Sequence, residues 1–267
     1  MSGGYETAEP KALYAQAREA AKKALQLDDS LAEAHAAMGS VKSLLEWDWA
    51  GADQEFKRAI ELNPGDANAH YFYACMCLGP TSRLEEAIGE MKKALNLDPM
   101  SLVINTNLAR MYFFAGQLER AQEQSGKVLE LDPVFVPLHA WRAGLYERKG
   151  MYEQAIEESR FLQPAPGLAT RRVAALRRAY AGAGPRGYWQ TQLGFLRADQ
   201  KTKYVSPSTL AVAYANLGDK NAAFQWLDRA VEERDDVAHW IKVNPAFDLL
   251  RSDPRFAAIL RRMNLSP

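Results

Sequence analysis

Apolar residues recur at i, i+3, i+4 and i+7 along most of the chain, as in residues 31–45 (LAEAHAAMGSVKSLL) followed by residues 50–62 (AGADQEFKRAIEL). That spacing predicts helices with one buried face, and no alternation of the strand type competes with it. The two-helix pattern returns at a fixed period. The phrases KALQLDDS, RAIELNPGD, KALNLDPMS and KVLELDPVF place Asp29, Pro64, Pro99 and Pro133 in register, at steps of 35, 35 and 34 residues, and each closes a helix. Ser30 with Glu33 reads as a capping box, and Asp66 and Ser101 read as N-caps of later units. A unit of two amphipathic helices cannot bury its apolar face alone, so units at this period must stack in line and end in caps.

The residues at set positions within the period resemble the tetratricopeptide repeat. The unit beginning at Leu102 carries Leu108, Ala109, Tyr112, Gly116, Ala121 and Pro133, and the unit beginning at Ala32 carries Met38, Gly39, Ala52, Phe56, Ala59 and Pro64. Ala52, Ala87, Ala121 and Ala155 stand where the second helix of a unit crosses the first. The resemblance implies an all-α superhelical solenoid of antiparallel helix pairs with a C-terminal capping helix. It divides the chain into an N-terminal arm and lone capping helix (1–31), units at 32–66, 67–101, 102–135 and 136–169, a degenerate unit at 170–203, a unit at 204–236 and a C-terminal cap at 237–267. In the degenerate unit Arg177 takes a small-residue position and Trp189 takes the close-crossing alanine position, so that pair is expected to be splayed or shifted. The last helix, with Phe256, Ile259, Leu260 and Met263 on one stripe, is expected to seal the open end. The runs EWDWAGADQEFKRAIELNP and LRSDPRFAAILRRMNL are similar to the arrays of bacterial multidomain signalling proteins, which commonly follow a winged-helix or a kinase domain. Neither domain is visible here, and the chain is expected to be the C-terminal part of such a protein.

Composition narrows the function classes. The 267 residues are 48% hydrophobic and 25% charged, with 33 basic against 33 acidic side chains, which excludes disorder and argues against a dedicated nucleic-acid or membrane-surface binder. No apolar run is long enough to span a membrane, and the start MSGGYETAEP lacks the segments of a signal peptide, so a cytoplasmic location is expected. Charge is nonetheless uneven. Residues 1–133 hold 13 basic and 20 acidic side chains, residues 134–267 the reverse, and residues 160–203 hold nine basic residues against Asp199.

Residues that could carry chemistry have structural readings. His35, His70 and His139 share one position of successive units, with Asn105 holding it in between, so they are strung along the stack and do not converge on a metal. Gly182, Gly184 and Gly187 have G-x-G-x-x-G spacing but follow a helical stretch, which makes Gly184 a turn residue. Cys75 and Cys77 read as core, and Trp47 and Trp49 as cover for the turn between two helices. No catalytic motif, metal or cofactor is expected, and the protein is not expected to be an enzyme.

What remains is a binding surface. In the resembled family the first helices line a concave groove, which by position would present Tyr71 and Cys75, then Arg110, Phe113 and Phe114, then Glu147 and Arg148, and finally Arg171 and Arg178. Guanidinium groups beside aromatic rings suit an acidic, partly apolar segment of a partner protein. The alternative is self-association, with the acidic front of one chain meeting the basic rear of the next.

Overall fold

The computed structural model describes residues 10–163 and 165–267; the arm at residues 1–9 read from the sequence lies outside the described residues. Those described are helical throughout, with no strand among them. A single helix α1 (Pro10–Leu27) precedes antiparallel pairs: α2 (Ala32–Val41) with α3 (Trp49–Leu62), α4 (Ala67–Tyr73) with α5 (Leu84–Leu97), α6 (Leu102–Phe114) with α7 (Leu118–Leu131), and α8 (Val136–Arg148) with α9 (Tyr152–Ser159). Then come α10 (Pro166–Asp199), the pair α11 (Pro207–Asn216) and α12 (Lys220–Glu233), two short 3-10 turns (Ala238–Trp240 and Pro245–Leu250), and α13 (Pro254–Arg262). The first helices of the first two pairs end in a π-helical turn, Lys42–Glu46 and Ala74–Leu78.

Small residues set the spacing within pairs. Ala52, Ala87, Ala121 and Ala155 are buried at the crossings, and a Cβ on Gly39 would meet the ring of Phe56 at 3.0 Å. Asp66 and Ser101 cap their helices by accepting the N–H groups of Asn68 and Ile104. The expected Ser30–Glu33 box does not form. Asp28 accepts both the N–H and the hydroxyl of Ser30, at 2.9 and 2.6 Å, so Ser30 is held in the turn and Leu31 precedes the helix without a side-chain cap.

The degenerate unit is shifted, not splayed. α10 folds back on itself at Ala183 and Gly184, where φ reaches +58°, a value that favours glycine. The close approach is made by Gly187, two positions before Trp189: a Cβ there would lie 2.2 Å from the carbonyl oxygen of Ala179. Trp189 is thereby free to fill the core, where its indole N–H donates to the Tyr152 hydroxyl at 3.3 Å. Arg172 on one arm pairs with Asp199 on the other through two hydrogen bonds, pinning the open ends together. Arg177 stays on the surface and reaches Glu157 of the preceding unit.

The C-terminal segment does more than seal the last helix pair. After α12, Asp235 is buried and accepts from the Ser206 hydroxyl (2.6 Å) and the Ser208 N–H (3.0 Å), fixing the exit direction. The chain then crosses the concave side. Trp240 packs against Phe114 with ring centroids 5.4 Å apart, and a Cβ on Gly79 would meet its ring at 2.6 Å, while Asp248 pairs with Arg148 at 2.6 Å. Finally α13 brings the chain end back to the first pair. The Trp49 indole donates to the Met263 carbonyl at 2.7 Å, Asn264 donates to the Trp47 carbonyl at 3.2 Å, and Arg234 lies over the Trp47 ring. The two tryptophans expected to cover a local turn are buried by the opposite end of the chain, and the stack closes into a ring.

Candidate functional site

Inside the ring the crossing segment leaves a chamber of about 710 Å3, the size of a site for a small ligand or a few residues of peptide. Helix α6 contributes Arg110, Phe113 and Phe114, and α8 contributes Trp141, Gly144 and Glu147. The opposite wall comes from Arg172, Trp189 and Phe195 of α10 and from Asp236 and Trp240 of the crossing segment. Room exists because α8 turns its smallest residues inward: Ala140 and Gly144 line the chamber, and a Cβ on Gly144 would meet nothing within 4 Å.

Five of the nine side chains expected in a groove do line the chamber: Arg110, Phe113, Phe114, Glu147 and Arg148. Tyr71 lies outside it, half-buried against Phe72, and Cys75 is buried in the core. Arg171 and Arg178 are exposed on α10 and do not line the chamber. The fold-back of α10 turns Arg172 inward, one residue beyond the position that the regular repeat assigns.

The electrostatics differ from an open basic groove. Arg148 is committed to Asp248, and Arg172 to Asp199, which Lys203 also approaches at 3.5 Å. Arg110 lies over the Trp240 ring at 5.1 Å and donates to Asn107. Among the described residues, Arg110, Glu147 and Asp236 line the chamber without an ion-pair partner. Glu147 accepts the Tyr188 hydroxyl at 2.5 Å, and Gln192 donates to that hydroxyl at 3.0 Å. Burial pushes the Glu147 carboxyl up to about 7, against which the Tyr188 hydrogen bond acts only in part. Behind Arg110, burial pushes His239 down to about 3, so its ring is neutral, and among the described residues neither nitrogen has a hydrogen-bond partner.

The remaining chemistry-bearing residues are structural. His35, His70 and His139 each set Nδ1 against a glutamate of the paired helix (Glu55, Glu90 and Glu158) and Nε2 against a carbonyl six residues earlier. Asn105 does the same work, donating to the Pro99 carbonyl and accepting from Gln124 at 2.5 Å. Burial pushes the thiols of Cys75 and Cys77 up to about 12, which leaves them unreactive at neutral pH. Among the described residues there is no group of three or more His, Cys, Asp or Glu able to hold a metal ion, and no helix long and apolar enough to cross a membrane.

The sequence model of the tetratricopeptide repeat matches residues 103–135 and 208–236. No curated protein matches the sequence. Among solved structures the chain is similar to PilW, a widely conserved type IV pilus biogenesis factor, at 19% identity over 71% of this chain and 87% of that one, with a TM-score of 0.55. It is also similar to the APC/C hetero-tetramer Cut9–Hcn1, at 12% identity over 94% of this chain and 46% of that one, with a TM-score of 0.53. YrrB, a tetratricopeptide-repeat protein with an unusual peptide-binding site, matches at 15% identity over 92% of this chain and 98% of that one, with a TM-score of 0.44. The chain carries tetratricopeptide repeats in an all-helical solenoid.

Proposed function

We propose that the protein is a non-catalytic scaffold that binds a short segment of a partner protein in the chamber at the centre of its repeat ring. The observation that carries this reading is the chamber itself: about 710 Å3 kept open by Gly144 and Ala140 beneath walls of Phe113, Trp141, Trp189 and Phe195. Aromatic walls on rigid helices offer large contact area at little cost in ordering, which is how a preformed site gains affinity. The crossing segment bars a long peptide from running along the concave faces of α4, α6 and α8, since Trp240 sits between Gly79 and Phe114. A chain end or a short protruding loop fits the space that remains. The resemblance to arrays of signalling proteins supports a role as the interaction module of a regulatory protein.

The test is affinity capture from a lysate of the source organism on three immobilised proteins: wild type, Gly144→Leu, which fills the chamber, and Arg178→Glu, which alters only the exposed face of α10. A partner retained by wild type and Arg178→Glu but lost on Gly144→Leu supports the chamber. A partner retained equally by wild type and Gly144→Leu places recognition elsewhere on the ring and refutes the reading.

A further inference from the structure

We infer that the group the chamber receives is a cation: a lysine side chain of the partner segment, its ammonium paired with Glu147 and its methylene stem against the aromatic walls. The inference rests on the proposed use of the chamber and reverses the charge expected from the arginine-rich sequence.

The reversal follows from which charges are already spent. Of the cations that line the chamber, Arg148 is held by Asp248, and Arg172 and Lys203 share Asp199. Arg110 lies over Trp240 and donates to Asn107, its Nε has no hydrogen-bond partner among the described residues, and its charge acts on Asp236, whose carboxyl it lowers. Among the described residues no cation pairs with Glu147, and Tyr188 supplies a neutral hydrogen bond to one oxygen only, Oε1. An incoming carboxylate would meet Glu147 and Asp236 with only Arg110 to offset them. An incoming ammonium would find a free carboxylate oxygen on Glu147, a second carboxylate at Asp236, and the indoles of Trp141 and Trp189 in the wall, aromatic rings of the kind that attract cations through their quadrupoles; the Phe195 ring already carries Arg172 at 4.8 Å.

Lysine suits this geometry better than arginine. A guanidinium fork is satisfied by two oxygens of one carboxylate, whereas Tyr188 already holds one of the pair. A compact ammonium on an apolar stem needs only the other. Burial pushes Glu147 up to about 7, and desolvation with the neighbouring Asp235 pushes Asp236 up to about 6.

The experiment uses three blocked peptides alike in shape and different in charge, acetyl-Phe-Lys-Leu-amide and its norleucine and glutamate counterparts, titrated calorimetrically into wild type, Glu147→Gln and Gly144→Leu. The lysine peptide is expected to bind wild type about tenfold more tightly than the norleucine peptide, and the glutamate peptide more weakly than either. Glu147→Gln, an isosteric change checked for folding by circular dichroism, is expected to erase the lysine preference while norleucine binding persists, and Gly144→Leu to abolish both. Equal binding of lysine and norleucine peptides, or tighter binding of the glutamate peptide, overturns the inference but leaves the chamber a binding site. Binding of none of the three, or binding that Gly144→Leu leaves intact, overturns the proposed use of the chamber as well. n-Butylammonium binding as tightly as the lysine peptide would make the occupant a free amine and overturn the assignment to a partner segment.

Discussion

Glu147 places a measurable load on the fold. Its carboxyl stands at an ordinary value of 4.5 when the chain is unfolded and at about 7 in the ring. A group whose folded value is raised holds its proton more tightly in the native state, so it costs nothing below about pH 4.5 and destabilises the fold increasingly as pH rises through about 7. At roughly 1.4 kcal/mol per pH unit the full gap amounts to about 3 kcal/mol, and the partial exposure of Glu147 lowers it to about 2 kcal/mol. Replacement by glutamine keeps an acceptor for the Tyr188 hydroxyl and removes the ionisation. Any offset from the new amide group is independent of pH, so the slope is the clean observable. Urea denaturation followed by circular dichroism at about pH 5 and about pH 8.5 should show the Glu147→Gln variant gaining about 2 kcal/mol on wild type between the two conditions. A difference that stays constant with pH, or one that shrinks toward alkaline pH, would refute a carboxylate stranded without a cation.

Other outcomes follow from single contacts. Gly144→Leu should fold and melt at or above the wild-type temperature, because its Cβ meets nothing within 4 Å and a helix-interior glycine costs about 1 kcal/mol relative to alanine; a calorimetric melt checks it. Gly187→Ala should lose about 1–3 kcal/mol, since its Cβ would lie 2.2 Å from the Ala179 carbonyl oxygen and force the arms of α10 apart; urea midpoints measure the loss. His139→Ala should cost about 2–3 kcal/mol, because both ring nitrogens make hydrogen bonds from a side chain only 5% exposed, whereas His35→Ala, at 14% exposure, should cost less by the same assay. Cutting the chain after Ser252 removes α13 and uncovers Trp47 and Trp49, so tryptophan emission should shift to the red; an unchanged spectrum would argue against ring closure.

Local rules make much of the architecture legible in the chain's own residue pattern. The 34–35-residue period, the alanines at the crossings, the Asp66 and Ser101 caps and the shared histidine position all depend on contacts within a unit or between neighbours, and such contacts recur wherever the period recurs. Gly187 carries a legible signal too: displaced by two positions from an alanine site taken by tryptophan, a glycine in the same helix is the residue that permits the crossing.

Tertiary packing settles where the chain goes when the small rotations of successive units add up. No single unit carries the information that the stack closes far enough for Met263 to meet Trp49, because that contact joins residues 214 positions apart and depends on the sum of every packing angle between them. Closure sends the crossing segment through the lumen, and the lumen's charge balance changes with it. Arg148 reads as a free cation in the sequence and is neutralised by Asp248, a residue 100 positions away, while Glu147 beside it is left with a tyrosine and no cation. Helix type, period and caps are short-range properties and can be read from neighbours in sequence. Which charges remain available to a partner is a property of the closed ring, since it is set by pairs that only folding brings together.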